Sequence, residues 1–462
     1  MLKNAHNGQK IKRAAAFMLL ACGLQNVLAD EPSANKEPSA NKEPSAKKEP
    51  SAKKEPSAKK EPSAKKSPAE KHDVAGVPFL FSSEDWGTAF GGAGIIKGIG
   101  QPQASLFGTV IASSNGSALV YTGLHNIILP GLDQMLVSVN ALYGDYTQSS
   151  YYLPGNPNFG NEQSGSNDSS KDNFITTSSV EQRYAARFKY ILPIADGRNG
   201  ALVSLKQDAL GHSSAGNVWN PLTSGVSSFE VQPFYESQEL EDFSPDSADK
   251  AAGIKFILDY DNRNSSQLPT RGSHTTFTYT KDWGSEDRAD WATWEFEFSK
   301  FINLGSNEYL DQQVIAFNAW IADTPTWNDT TRVNGVEEYK RPPSFAGVSL
   351  GGWDKLRGYN TDRFYGRSAV SYSLEFRAIP HWQPLEDLPV IGPLYDIPWW
   401  QWTLFIDAGR VADDFDLKEL HSDMKYSVGG GIRFKVEGVT VRTEIASSKE
   451  DNQLRIFINQ PF

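Results

Sequence analysis

One cysteine, four methionines and seven histidines are all that 462 residues contain of the softer and metal-binding side chains. With Cys22 alone, no disulfide forms within the chain and no cysteine-based zinc cluster can be built. Among the histidines, His72, His125, His212, His274, His381 and His421 are scattered without ligand spacing, so no metal site and no cofactor is predicted. Beyond the N-terminal segment there is no run of about 18 apolar residues, which excludes a transmembrane helix. No basic groove interleaved with aromatics occurs, so nucleic acid is not an expected partner. The acidic stretches 236–249 and 282–290 lack the ligand spacing of a calcium loop and read as solvated loops.

Aromatics reach 12% while hydrophobic residues total only 39%, and there are 38 glycines. That mixture suits many strands joined by tight turns better than helices.

Three regions differ in kind. Residues 1–29 look like an export signal. Lys10, Lys12 and Arg13 form its basic start, Ala14 to Leu24 its apolar core, and Val27-Leu28-Ala29 a small-residue cleavage site. Leu19-Leu20-Ala21-Cys22 offers a rival reading, a lipoprotein box with Cys22 lipidated. Ordinary cleavage after Ala29 is preferred, because a barrel needs no lipid anchor. Residues 30–77 are predicted to be a disordered tether. From Glu31 to Lys66 the unit EPSA(N/K)K repeats six times, with ten lysines, six glutamates and nothing to bury. Extended at about 3.1 Å per residue it would reach on the order of 110 Å. Its surplus of lysine within a chain of net charge −11 suits a solvated periplasmic spacer or, alternatively, weak adhesion to anionic cell-wall polymer or lipid headgroups.

Residues 78–462 show period-two alternation in segments of about ten residues. Ile254, Phe256, Leu258 and Tyr260 oppose Lys255, Asp259 and Asp261. Val370, Tyr372, Leu374 and Phe376 oppose Ser371, Ser373, Glu375 and Arg377. Trp400, Trp402, Leu404 and Ile406 oppose Thr403, Asp407 and Gly409, and Tyr426, Val428, Ile432 and Phe434 oppose Gly429, Gly431, Arg433 and Lys435. A charged face on nearly every strand, with Trp382, Trp399, Trp400 and Trp402 bunched at strand ends, favours a membrane barrel over a soluble sandwich. The expected fold is all-β: a 16-stranded antiparallel transmembrane β-barrel with one long loop, preceded by the tether. Its strands are expected to start near 87, 104, 117, 134, 179, 200, 226, 251, 273, 291, 312, 368, 400, 425, 438 and 452. By parity Asn115-Gly116 is then a turn on the periplasmic side, and the long segment 147–178 falls, awkwardly, on that side too.

At 350–377 a motif appears. Gly351-Gly352 precedes Leu356-Arg357-Gly358-Tyr359, which resembles the (V/L)RG(F/Y) loop motif of BamA/TamA-type outer-membrane barrels, the bacterial surface-antigen superfamily. Supporting pieces follow in order. Asp259-Tyr260-Asp261-Asn262-Arg263 with Leu268-Pro269-Thr270-Arg271-Gly272 is similar to the family's DxRD…FPTRG strand-turn. Glu375-Phe376-Arg377 resembles its ExR strand, Phe405-Ile406-Asp407-Ala408-Gly409 its FxDxG strand, and Phe462 its outer-membrane targeting terminus.

The resemblance implies a protein integral to the bacterial outer membrane, with lipid as its first partner and periplasmic or outer-membrane proteins as others. It also implies that the loop folds into the lumen, where Arg357 meets Asp407 and Glu375. The family's periplasmic POTRA modules have no counterpart in residues 30–77. Gly91, Gly92 and Gly94 near the start of the expected first strand, with Phe462 at the last, would form a weakly paired seam. Translocation, membrane insertion or lipid handling is the expected role, with a passive solute pore or an anchoring surface antigen as alternatives. An enzyme is not expected: Gly347-Val348-Ser349-Leu350-Gly351 matches a nucleophile elbow in letters, but no α/β sheet can form around it.

Overall fold

The computed structural model describes residues 73–83, 86–154, 156–205, 218–241, 249–384, 397–436, 439–458 and 461–462. The predicted export signal and residues 30–72 of the predicted tether lie outside these residues, whereas residues 73–77, expected to be disordered, begin the first strand. The chain divides into two units, Met1–Val74 and Ala75–Phe462, and the strands belong almost wholly to the second.

Alternating segments become strands because one face can be apolar throughout while the other stays polar. In chain order they are β1 (Asp73–Ser83), β2 (Gly87–Lys97), β3 (Ser105–Ser113), β4 (Ala118–Ile128) and β5 (Met135–Tyr151). Then come β6 (Ile175–Ile191), β7 (Val226–Leu240), β8 (Asp249–Asp261), β9 (Gly272–Asp282), β10 (Ala292–Gly305) and β11 (Leu310–Asp323). Two small hairpins follow within one connection, β12 (Thr330–Val333) with β13 (Val336–Tyr339), and β14 (Val348–Leu350) with β15 (Phe364–Gly366). The array resumes with β16 (Ser368–Pro380), β17 (Trp400–Ala412), β18 (Lys425–Val436), β19 (Val439–Ser448) and β20 (Asn452–Ile458).

Sixteen of these strands form one sheet in the order β1 to β11, then β16 to β20. The expected number of strands is thus met, but two assignments cancel. No strand starts near 200: residues 202–205 are helical, and Ala201 and Leu205 pack with Leu136, Ile191 and Val226 at the strand ends. That packing makes the run a cap over the strand ends instead of a member of the sheet. The missed strand is β1, whose Gly76 and Pro78 argue against an interior strand. Proline is tolerated on an edge strand, and β1 is an edge.

Adding β1 moves the parity of everything up to residue 200. Connection 152–174 and the Asn115-Gly116 turn therefore lie at the same end of the sheet as the long loop 324–367, not at the opposite one. Adding β1 also overturns the expected seam. Gly91, Gly92 and Gly94 sit on β2, between β1 and β3, and a Cβ on Gly91 would meet the Phe79 ring of β1 at 2.8 Å. Phe462 is not at an edge either. Its ring packs against Phe301 (6.2 Å between centroids), beside Val314 and Ala316 on the inner face of β10 and β11.

The sheet curls. Loop 324–367 touches the β5–β6 connection through Asn360 Nδ2 to Tyr152 Oη (3.0 Å) and Tyr365 N to Gly165 O (2.7 Å), and reaches β17 through Arg357. Among the described residues no ladder joins β1 to β20, so the closed barrel expected from sequence is present as a curled sixteen-stranded sheet.

Its two faces are inverted relative to a soluble protein. Leu258, Leu404, Val428, Ile445 and Leu454 are more than half exposed, whereas Glu375, Asp407 and Arg433 on the opposite face are fully buried. An apolar belt outside a polar interior is the arrangement a bilayer demands. At one end Trp382 and Trp400 pack edge to face, with Trp400 Nε1 donating to Trp382 O (2.8 Å), as in an interfacial aromatic belt. Ile406→Arg on this outer face is expected to cost roughly 2–4 kcal/mol of folding into lipid. Urea titration of bilayer-refolded protein would measure it, and an unchanged midpoint would mean that this face never meets lipid.

Candidate functional site

The long loop between β11 and β16 carries the motif residues inward because its backbone can turn sharply there. Gly351 has φ +106°, and a Cβ on it would lie 2.2 Å from Asn360 O. Leu356 adopts φ +51° without being glycine, a strained state held by burial among Val348, Leu350, Tyr359, Phe364, Trp320 and Val411. Gly358 lets the loop press on the wall: a Cβ would meet Ser427 Cβ and the Ser447 backbone at 2.9 Å. Gly352 follows Gly351 with φ +112°, and Tyr359 donates from its hydroxyl to Tyr426 O (3.3 Å).

These contacts deliver Arg357 to the inner face of β16–β19 with 1% of its surface exposed. Its Nε and Nη2 grip Asp407 in fork geometry (2.9 Å to Oδ2, 2.7 Å to Oδ1), and its backbone N donates to the same carboxylate at 3.1 Å. Nη1 donates to Glu375 Oε1 (2.5 Å) and, more distantly, to Glu444 Oε2 (3.4 Å). Nη2 also reaches Ser373 Oγ at 3.0 Å. The guanidinium plane lies 3.5 Å from the centroid of the Phe405 ring. Phe405 in turn needs Gly429 behind it, where a Cβ would come within 2.3 Å of the ring. Bidentate pairing plus stacking is chemistry that lysine cannot imitate.

The expected trio of Arg357, Asp407 and Glu375 is therefore brought together, and the other motif residues build its scaffold. Several members were not singled out from sequence. Ser373 and Ser427 donate to Asp407 (2.8 and 3.2 Å), fixing its two oxygens. Arg433 bridges Glu375 and Glu444 (2.9 and 2.7 Å), and Arg442 joins Glu444 to Asp354 of the loop (3.2 and 2.6 Å). Strand alternation puts all of them on the inner face. Their convergence at one height needs the cross-strand register, such as Arg433 opposite Arg442.

A second anchor also escaped the motif reading. Arg363, fully buried, forks onto Glu450 of the β19–β20 turn (2.7 and 2.9 Å) and bonds Ser169 Oγ and O (2.9 and 2.6 Å) in the β5–β6 connection. It ties the loop to two distant turns, partners 87 and 194 residues away in sequence. Ser349, from the nucleophile-elbow lettering, lies on β14 and donates to Asp362 Oδ1 (2.6 Å). Among the described residues no three His, Cys, Asp or Glu side chains group as a metal would require.

Removing one partner of a buried, hydrogen-bonded ion pair costs about 3–5 kcal/mol, since the other charge stays buried. Arg357→Ala and Arg357→Lys are both expected to release the loop, seen as new protease cleavage within 324–367 while the strands stay protected. Equal protection in both variants would show that the apolar contacts of Leu356 and Tyr359 hold the loop alone. Arg363→Gln is expected to expose the 152–174 connection and the 449–451 turn together in hydrogen exchange. Exchange unchanged at either one would count against a shared anchor.

No family model matches the chain, and no curated protein matches it. Solved structures do. BamA from Haemophilus ducreyi lacking POTRA domains 1–3 is 15% identical, over 84% of this chain and 69% of that one, with a TM-score of 0.46. CdiB from Escherichia coli is 12% identical over 84% of this chain and 61% of that one (TM-score 0.48). CdiB from Acinetobacter baumannii is 10% identical over 84% and 59% (TM-score 0.48). The chain thus spans about three fifths of the two CdiB chains and somewhat more of the BamA chain. In its strand array it is similar to these BamA and CdiB structures.

Proposed function

We propose that the chain is an outer-membrane β-barrel of the BamA/TamA type whose lumen is plugged by loop 324–367 and locked by Arg357 to Asp407 and Glu375. The observation that carries this reading is the lock itself. A loop arginine is buried against carboxylates of two neighbouring wall strands, at the positions where the sequence resembles that superfamily. An apolar outer belt supports lipid as its surroundings. The role that follows is translocation, membrane insertion or lipid handling, with the loop as the movable part and the tether on the periplasmic side.

A passive pore is the second reading, and one feature favours it. On the inner face of β6, β8 and β9, Arg187, Lys189, Lys255 and His274 keep about a quarter to a half of their side chains exposed. That wall stays wet, unlike the sealed wall at β16–β19.

Planar-bilayer recording separates the two. A plugged barrel is expected to be quiet or flickering in the wild type and to open in Arg357→Ala. A wild type that is open and ohmic, with no change in the variant, would make the lock a mere folding staple and the pore reading correct.

A further inference from the structure

Glu375 serves three guanidiniums. Arg357 and Arg433 share Oε1, and Arg377 takes Oε2 through Nε at 2.7 Å. Arg377 is 1% exposed, yet its Nη1 and Nη2 have no hydrogen-bond partner. Those two groups carry four N–H donors on a cation that stays protonated in proteins. Leaving them buried and unmatched is costly, more so because the charge is delocalised over them.

The balance of the cluster adds to the argument. Among the described residues, four arginines (357, 377, 433, 442) and three carboxylates (Asp407, Glu375, Glu444) are each at most 3% exposed. Arg442 finds a fourth carboxylate in Asp354 at the rim. Arg377 has only its share of Glu375.

Directly opposite Arg377 in the β16–β17 register is Thr403, whose Oγ1 is buried without a partner. Two residues along the same face, Gln401 Oε1 is also buried and unpartnered. The rings of Phe301 and Phe462 flank the guanidinium, with its carbon 5.3 and 5.0 Å from their centroids. Aromatic faces on a guanidinium leave its in-plane N–H edge for a ligand.

We infer that Arg377 and Thr403 form a binding site for a small oxyanion, of the phosphate or carboxylate class, on the inner wall. The two Nη groups would donate to a pair of its oxygens and Thr403 Oγ1 to one of them, while Phe301 and Phe462 shield the pair from water. The anion supplies the acceptors that the two Nη groups of Arg377 lack. The site stands on the wall strands and the Phe462 contact, and does not depend on whether the loop above it gates a channel.

Isothermal titration of the full-length protein in detergent, at constant ionic strength, tests it with sodium phosphate and sodium acetate as separate probes. A saturable one-site isotherm is expected for at least one of them. Acetate and phosphate both binding would mean that any oxyanion fork suffices, and phosphate alone that the site demands the higher charge. Arg377→Met is expected to abolish the heat while keeping the wild-type gel mobility of the folded form, because Glu375 retains Arg357 and Arg433. Thr403→Val is expected to fold and to weaken binding about tenfold, the loss of one hydrogen bond to a charged partner. No saturable heat from either probe, or the same isotherm in Arg377→Met, overturns the inference. Should Arg377→Met fail to fold, an unchanged affinity in Thr403→Val overturns it equally.

Discussion

The grip of Arg357 on Asp407 is the contact on which the interior organisation turns. It joins a loop to a wall strand 50 residues away, with at most 1% of either partner exposed to water. Such a pair is weak evidence of net stability, since desolvating two ions offsets most of their attraction. Its stronger effect is on specificity. Once Asp407 is oriented by Ser373 and Ser427, only a planar fork arriving at one angle can match it. The loop thereby acquires a single docked position. Leu356 and Tyr359 then fill the apolar ground above, and Arg363 fixes the far side against Glu450 and Ser169.

The same inversion of faces that points to a membrane also explains why the interior tolerates so much charge. Outside, strands such as β8, β17, β18 and β19 expose Leu, Ile, Val or an aromatic, as a wall facing lipid would, and that face needs no core. Inside, the wall must be polar, and polar groups hidden from water must pair with one another. At β16–β19 the carboxylates and most of the guanidinium groups do so in a dense network under the loop, the two Nη groups of Arg377 excepted. At β6–β9 the charges stay partly hydrated instead. One sheet therefore has a sealed wall and a wet wall, and the difference lies in what covers each.

Much of this was legible because side-chain alternation is local. Glu375, Asp407 and Arg433 could be assigned to the inner face from neighbouring residues alone, and Arg357 stood out by the glycines around it. The failures were equally physical. β1 hides behind Gly76 and Pro78, which argue against a strand unless its edge position is known. The run at 201–205 alternates as a strand would, with Ser204 between Val203 and Leu205, and its packing over the strand ends is a tertiary matter. Gly91, Gly92 and Gly94 would form a seam only in a sheet without β1. Phe462 follows an edge strand in sequence, yet it turns inward to Phe301.

What the sequence by itself determined is the sided nature of the strands and, through the resemblance of its loop motif to a known one, the arginine that meets the wall. Period-two patterning and a motif of glycines around one arginine are both properties of short segments. Only the tertiary structure decided which charges meet. Register across β16–β19 brings Arg377, Arg433, Arg442 and Glu444 to one patch, and the curl of the sheet brings Arg363 to turns 87 and 194 residues away from it. Those distances are set by the way strands stack and bend, and no local run of residues contains that information.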